Sequence, residues 1–398
     1  MSVRVEKVLE NLYLLRVDDR ETRFFEALWE IPEGITYNAY LLLGEEKTVL
    51  FDTWKKQYSE LFIETLKEIT DIREIGYLVA HHAEPDHSGS LPALVRHNSK
   101  LKVLGHPLAK GMLESFYRVK LNFQPVKDGD TLDIGGKSLK FIYTPWLHWP
   151  ETIMTYIEED RALLSCDAFG SYSIPSATFD DQEENIEKYL DFAKKYIVTV
   201  IGHYRKFIPQ NVKKLNSLGI KPKIIAPSHG LIFRTKPELI INHYLNVAAA
   251  KPQARKVTVI YSSMYGAVEK AAKIAARELE NRGITPKVYK ITDQHQPPIS
   301  EILSDAIDSQ ALVVGAATYE GETFPKIRWI LELIAAKAAS SKRVLVLSSY
   351  GWGGVAGTKI AKALGDAGFQ VTGKVEFKGA PSPEDEAKIR KAVEELLK

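Results

Sequence analysis

The chain has 398 residues, too many for one ordinary hydrophobic core, so two domains are expected. Hydrophobic residues make up 45% and charged residues 26%, and the formal net charge of +2 gives no reason to expect nucleic acid or an anionic membrane as a partner. Cys166 is the only cysteine, which excludes an internal disulfide, a Cys-rich zinc module and a rubredoxin-type iron site.

The N-terminus, MSVRVEKVLENLYLL, is charged and strand-like, with neither the apolar core nor the small-residue cleavage site of a signal peptide. No apolar run approaches the ~20 residues needed to span a bilayer, and the cytoplasm is the expected location. The run TYNAYLLL is followed by the turn Gly44-Glu45-Glu46 and then by KTVLFDTW. Farther along come SLKFIYTP, TIMTYIEED and RALLSCDAF, strand-like runs separated by turns. Such β-rich segments with interspersed helices fit a layered αββα sandwich over residues 1–250.

Near residue 250 the pattern changes. AAAKPQARK reads as a short linker, and regular β-α alternation follows over 254–398. The strands are VTVIY, KVYKI, ALVVGAA, RVLVLSSY and VTGKVEF. Helices are expected over 267–281, from about 299, after Pro325, near 355–366, and after the cap at Ser382 with Pro383 in first position. Five strands alternating with five helices predict a doubly wound parallel sheet of flavodoxin-like size.

The run HHAEPDHSG places His82, Glu84, Asp86 and His87 within six positions, directly after the apolar strand IGYLVA. Burying two carboxylates and two imidazoles together without a cation would be electrostatically costly. Three more ligand-type residues stand where a strand breaks into a turn: His148 in TPWLHWPET, Asp167 in LLSCDAFGS and His229 in KIIAPSHG. Three carboxylates and four imidazoles are too many for one tetrahedral zinc and enough for two metals sharing a bridge. The expected division is His82, Glu84 and His148 on one metal, Asp86, His87 and His229 on the other, and Asp167 between them. His81 is out of register and is expected to be a non-ligand; His97, His106 and His203 are expected to be structural. Read as H-x-E-x-D-H, the cluster resembles a metal-site signature of the metallo-β-lactamase superfamily, with Glu84 where its zinc hydrolases carry His. A carboxylate there shifts the preference from zinc toward iron or manganese.

In the second half, three strand-to-helix loops are expected to bind FMN. The first holds Ser262, Ser263, Met264, Tyr265, Gly266, Ala267 and Val268, where backbone N–H groups and a helix dipole suit a phosphate. The second holds Thr318, Tyr319, Glu320 and Gly321. The third holds Ser349, Tyr350, Gly351, Trp352 and Gly353, with two aromatic rings between glycines that suit an isoalloxazine.

On HAEPDHSGSLP, TPWLHWPETIM, SCDAFGS, APSHG, SMYG and YGWGG, in that order, together with EIPEGITYNAYLL, the chain resembles the flavodiiron proteins over essentially its full length. That family includes the A-type flavoproteins and the rubredoxin:oxygen oxidoreductases. The resemblance implies a metallo-β-lactamase-like diiron domain followed by a flavodoxin-like FMN domain. It implies two non-haem irons on the seven residues above, with no catalytic group beyond the metal ligands. The implied activity is reduction of dioxygen to water, or alternatively of nitric oxide to nitrous oxide, with electrons relayed through FMN. It further implies a homodimer or dimer of dimers and a separate electron donor: a rubredoxin, a reduced deazaflavin or another flavoprotein. Two departures stand out. Ala267 and Val268 replace the Ser or Asn and the Thr that the family shows there, removing two side-chain donors to the phosphate, and IGHYRKFIP around Tyr204 differs from the family pattern. A metallo-β-lactamase-type hydrolase has no use for a flavin, and a mere electron carrier has no use for seven ligands.

Overall fold

Alternating apolar residues in the first half lay down two sheets that pack face to face, as the computed structural model of residues 2–339 and 341–398 shows. The seven-stranded sheet has the order Ser2–Lys7, Leu12–Asp19, Ile35–Leu43, Thr48–Phe51, Ile75–Ala80, Lys102–Gly105 and Phe123–Pro125. Its first four strands are antiparallel, and from Thr48–Phe51 onward the pairing is parallel. The five-stranded sheet runs Thr131–Asp133, Ser138–Tyr143, Ile153–Ile157, Ala162–Cys166 and Ile224–Pro227, antiparallel except for its last pair.

Residues of one parity meet between the sheets: Leu14, Leu42, Phe51, Val79 and Leu104 from one, and Leu139, Phe141, Ile153, Leu164 and Ala226 from the other. Residues of the opposite parity, such as Leu15, Leu41, Leu50 and Leu78, are equally buried. Each sheet face is therefore covered, as a sandwich with helical outer layers requires.

Contacts divide the chain into two compact units, one ending at Leu245 and the other beginning at Asn246. The second unit holds a sheet ordered Lys287–Ile291, Gln253–Ser262, Ser309–Tyr319, Arg343–Tyr350 and Gln370–Lys378. All these pairs are parallel, giving the 2-1-3-4-5 order of a flavodoxin-like doubly wound fold. Gly315, in the central strand, admits no side chain: a Cβ there would lie 2.9 Å from both Tyr261 Cβ and Val268 Cγ1. That close approach lets the helix Ala267–Asn281 settle on the sheet.

Two details differ from the sequence pattern. The first strand of this unit begins at Gln253, so the expected linker is largely consumed by strand, with a register shift between Gln253 and Val257. The segment ATYEGETFP closes into a hairpin, because Glu322–Thr323 pairs back on the end of Ser309–Tyr319 across Glu320 and Gly321, both at positive φ. The final helix, Pro383–Leu397, has the full capping box between Ser382 and Asp385. Among the described residues, no helix is long and apolar enough to cross a membrane.

Candidate metal centre and flavin loops

Every one of the seven candidate ligands follows a strand at its carboxyl end. Ile75–Ala80 delivers His82, and Pro85, at the first position of the short helix Pro85–Ser88, turns the chain so that Asp86 and His87 follow within one turn. His148 lies beyond Ser138–Tyr143, in a loop where the Leu147–His148 peptide is cis. Asp167 directly follows Ala162–Cys166. His229 lies two residues beyond Ile224–Pro227, the parallel neighbour of that strand.

These side chains converge in two groups. His82, Glu84, His148 and Asp167 have ligand atoms within 4.8 Å of one another, as do Asp86, His87 and His229. Glu84 Oε2 lies 3.1 Å from His82 Nε2 and 2.9 Å from His148 Nε2. Asp167 stands between the groups and shows a different oxygen to each. Its Oδ2 is 3.6 Å from His82 Nε2 and 3.7 Å from His148 Nε2. Its Oδ1 is 3.0 Å from His87 Nε2 and 3.3 Å from His229 Nε2. Asp86 completes the second group, with Oδ1 3.4 Å from His87 Nε2 and Oδ2 3.5 Å from His229 Nε2.

The rings are aimed from behind. His82 Nδ1 donates to Glu151 Oε1 at 2.8 Å, and His229 Nδ1 donates to the Thr36 carbonyl at 2.6 Å. With Nδ1–H committed, it is Nε2 that faces the cluster, the atom whose lone pair a metal takes once it displaces the Nε2 proton. Glu151, fully buried, accepts also from Ala83 N at 3.0 Å. Tyr196 Oη donates to Asp167 Oδ1 at 2.7 Å.

Burial alone would neutralise these groups, but their mutual attraction outweighs it. Burial raises the Asp167 pKa, yet His87 and its fellow imidazoles carry it well below the carboxylate range. Glu84 is likewise depressed, against its burial, by His148 and His82. His82 and His87 are raised despite burial, and His229 is raised to about 10 by Asp167 and Asp86. Four buried atoms in the cluster find no hydrogen-bond partner: both Asp86 oxygens, Asp167 Oδ2 and His229 Nε2. Each such atom costs about 1–3 kcal/mol when left unpaired. Hard oxygens and imidazoles so arranged fit divalent first-row metals such as iron.

The other histidines stand apart from the cluster. His81 Nδ1 donates to Asp52 Oδ2 at 2.8 Å, its Nε2 lies 2.8 Å from the Thr155 hydroxyl, and its ring stacks on Phe51. His106 accepts from Leu108 N at a helix start, and His97 and His203 are exposed. Sequence pattern alone does not point to Glu151, Thr36, Asp52 or Tyr196. Glu151 stands three residues after His148 within TPWLHWPET, a position that could draw notice; Tyr196 carries no local signal.

In the second unit the three loops follow adjacent parallel strands, and Thr318 Oγ1, accepting from Val355 N and Ala356 N, ties the second loop to the third. Gly266 takes φ +87° as the cap of Ala267–Asn281, whose end has no side-chain cap. Ser262 is buried with its hydroxyl unpartnered, and Ser263 Oγ accepts from Gly266 N. Met264 and Tyr265 are exposed, and Ala267 is half-buried at the first helical position. Val268 lies in the core at 1% exposure, so only its backbone N–H is available to a phosphate. Tyr319, Glu320 and Gly321 form the hairpin turn, and Ser349 and Tyr350 end their strand. Trp352 is 94% exposed, and a Cβ at Gly351 or Gly353 would meet open space. A helix start with glycine at its cap position, where Ser263 Oγ accepts from Glu269 N, an orphaned buried hydroxyl at Ser262 and exposed aromatic rings around open glycines fit a phosphate-bearing planar ring system such as FMN.

A metallo-β-lactamase-like sandwich joined to a flavodoxin-like domain, with two carboxylate–imidazole ligand groups in the first, defines a class of flavin- and metal-dependent oxidoreductases. Residues 35–230 match the family described as ODP family beta lactamase, and residues 259–392 match Flavodoxin. The chain is 33% identical over 362 residues to the anaerobic nitric oxide reductase flavorubredoxin of Aliivibrio fischeri, spanning 89% of this chain and 71% of that protein. It is 30% identical over 397 residues to the rubredoxin-oxygen oxidoreductase of Megalodesulfovibrio gigas, spanning 98% and 96%. A mutant flavo di-iron protein from Thermotoga maritima superposes with a TM-score of 0.94 at 43% identity, covering 99% of this chain and 98% of that one. The chain belongs to the flavodiiron proteins. FMN and a non-haem diiron pair are its cofactors.

Proposed function

We propose that this protein reduces dioxygen to water, with nitric oxide as the alternative substrate, in a diiron domain spanning 1–250 served by an FMN domain spanning 254–398. The observation that carries this reading is the Asp167 carboxylate, which presents Oδ2 to one ligand group and Oδ1 to the other. His82, Glu84 and His148 would hold one iron, Asp86, His87 and His229 the other, and Asp167 would bridge. FMN would lie on the loops 262–268, 318–321 and 349–353. When bound and reduced, the iron pair would supply two electrons and the flavin two more, matching the four that dioxygen requires.

The chain's own residues supply position, proton and dryness. Glu151 and the Thr36 carbonyl fix the tautomers of His82 and His229. Tyr196 is fully buried, and burial with the nearby Asp167 charge raises its pKa well above the ordinary phenol value. It therefore keeps its proton at Oη, 2.7 Å from the bridging carboxylate, as a hydrogen-bond donor facing the cluster. Trp149, edge-on to His82 at 4.8 Å between ring centroids, and Phe25, edge-on to His229 at 6.1 Å, set apolar rings beside the ligands, surroundings that a small uncharged gas tolerates better than an ion. The electron donor is read as a separate protein or coenzyme, a rubredoxin, reduced deazaflavin or flavoprotein; the assembly as a homodimer or dimer of dimers; and the location as cytoplasmic.

The test uses iron- and FMN-loaded protein, reduced anaerobically, with dioxygen and nitric oxide consumption compared at equal concentrations. Faster dioxygen consumption without peroxide release is expected; faster nitric oxide consumption would reverse the preference. Asp167→Ala should abolish both while FMN still binds and reduces. Undiminished gas reduction in that variant would refute the bridge.

A further inference from the structure

The stretch IGHYRKFIP, residues 201–209, belongs to a continuous run of helix that touches the metal cluster through Tyr196 and the loop leading into His148 through Tyr204, Phe207 and Asn211. The helix Ile186–Tyr196 passes into a π-helical turn at Ile197–Ile201, a 3-10 turn at Gly202–Tyr204, and then the helix Phe207–Ser217. A π turn holds an extra residue, so the residues beyond it are rotated by about 100° from where an uninterrupted α-helix would put them. Thr199, inside the turn, is fastened by a 2.8 Å bond to the Lys195 carbonyl and lies 2.9 Å from Tyr172 Oη.

At the start of this turn, Tyr196 reaches the bridging carboxylate, Asp167. At the end of the following 3-10 turn, Tyr204 stacks on Trp146 with ring centroids 4.9 Å apart and planes 26° from parallel. Phe207 lies against the same indole at 6.0 Å, and Asn211 Nδ2 donates to the Pro145 carbonyl at 3.2 Å. Pro145 and Trp146 lead into His148, two residues on. Trp146 has φ +67°, a left-handed conformation that a bulky non-glycine residue keeps only when its surroundings over-determine it. The Tyr204 ring, stacked on the indole, is one of those surroundings.

We propose that Tyr204 is a positioning residue that acts through Trp146: its ring holds the His148 loop at a set distance from Asp167 and thereby tunes the metal affinity of the His82–Glu84–His148 group separately from the Asp86–His87–His229 group. This rests on the reading that each group holds one metal. Tyr204 itself touches no ligand, and the tether makes the two ends of one helical run gauge the space in which Glu84 Oε2, His148 Nε2 and Asp167 Oδ2 meet.

The experiment titrates the metal-free full chain with cobalt(II), reading both dissociation constants from its visible absorption, with melting temperature and FMN content measured alongside. Wild type should take up two equivalents. Tyr204→Ala and the volume-keeping Tyr204→Leu should weaken one of the two sites by about tenfold or more and leave the other unchanged. Tyr204→Phe, which keeps the stacked ring, should match wild type. In a His229→Ala background, where the remaining intact group is His82–Glu84–His148, Tyr204→Leu should weaken that site by the same factor. The Leu variant guards against an Ala variant that does not fold. Unchanged affinities in folded Tyr204→Leu, equal weakening of both sites, or a Phe variant that behaves like Leu would each overturn the proposal. A wild type binding fewer than two equivalents would overturn the two-metal reading, and the proposal with it, before any variant is compared.

Discussion

Replacing Glu151 with alanine removes the side chain that accepts from His82 Nδ1. Glu151 Oε1 accepts from His82 Nδ1 at 2.8 Å and from Ala83 N at 3.0 Å, and both donors are buried. Truncation leaves two buried N–H groups without an acceptor, each costing about 1–3 kcal/mol. A loss near 3 kcal/mol corresponds to roughly 6–12 °C in Tm for a unit of this size. The His82 ring is then free to turn or change tautomer, and loss of such an outer partner typically weakens a metal site about 10–100-fold. Glu151→Gln keeps an accepting oxygen and removes only the charge, so it should fall between wild type and alanine. Zinc(II) titration of the metal-free chain, followed by calorimetry, separates the outcomes. Alanine should weaken one of two sites and lower Tm, with glutamine milder in both. An alanine variant that binds both equivalents as tightly as wild type would refute the assigned role of Glu151.

The other predictions concern pH and the flavin loops. His229, raised to about 10, lies above the ordinary imidazole value near 6.5, so in the metal-free chain its pairing stabilises the fold fully below about 6.5 and is lost as pH rises toward 10. Asp167, Glu84 and Glu151 are depressed, so their contribution is present above about 4 and is lost as pH falls through their lowered values. A bound metal takes the place of the His229 proton, and the alkaline loss should therefore be absent after zinc(II) loading. Parallel Tm–pH curves with and without metal between pH 6.5 and 9.5 would count against this. Ala267→Ser, at a half-buried first helical position, should tighten FMN by adding a donor near the phosphate, whereas Val268→Thr should lower Tm by burying a hydroxyl in the core. Fluorescence titration and thermal melts distinguish them, and a Val268→Thr variant with unchanged Tm and tighter FMN would contradict the burial argument. Trp352→Ala should raise the FMN dissociation constant by about 2–12-fold if the exposed indole lies on the ring system; an unchanged constant would remove that role.

Much of the architecture is legible locally. The alternation in SLKFIYTP and RALLSCDAF becomes part of the inward face of the five-stranded sheet, and the β-α rhythm after residue 254 becomes the 2-1-3-4-5 sheet with its helices nearly where the pattern puts them. The cap at Ser382 is complete because its signal lies within four residues. Features whose partner is distant in sequence are harder to see. The hairpin across Glu320 and Gly321 needs two residues to pair back on a strand end, and the early start of the strand at Gln253 depends on Ser309 beside it. Val268 looks like a phosphate-loop residue from its position, yet Gly315, 47 residues on, opens the space that draws it into the core.

The inventory of candidate ligands is legible in the sequence alone: seven donors, hard and imidazole in kind, each placed after a strand-like run, with Glu84 a carboxylate of the kind that favours iron over zinc. Composition and chain order suffice for that, because ligand type is a property of the residue itself. What the tertiary structure decided is which oxygen faces which ring, and what holds the rings still. Asp167 divides its two oxygens between two groups, Glu151 and the Thr36 carbonyl lock the tautomers, and Tyr196 arrives from a helix with no signal in its own neighbourhood. These are contacts between residues up to 193 positions apart. They come into being only when two sheets close on a shared core, and short-range sequence patterns carry no information about such distances.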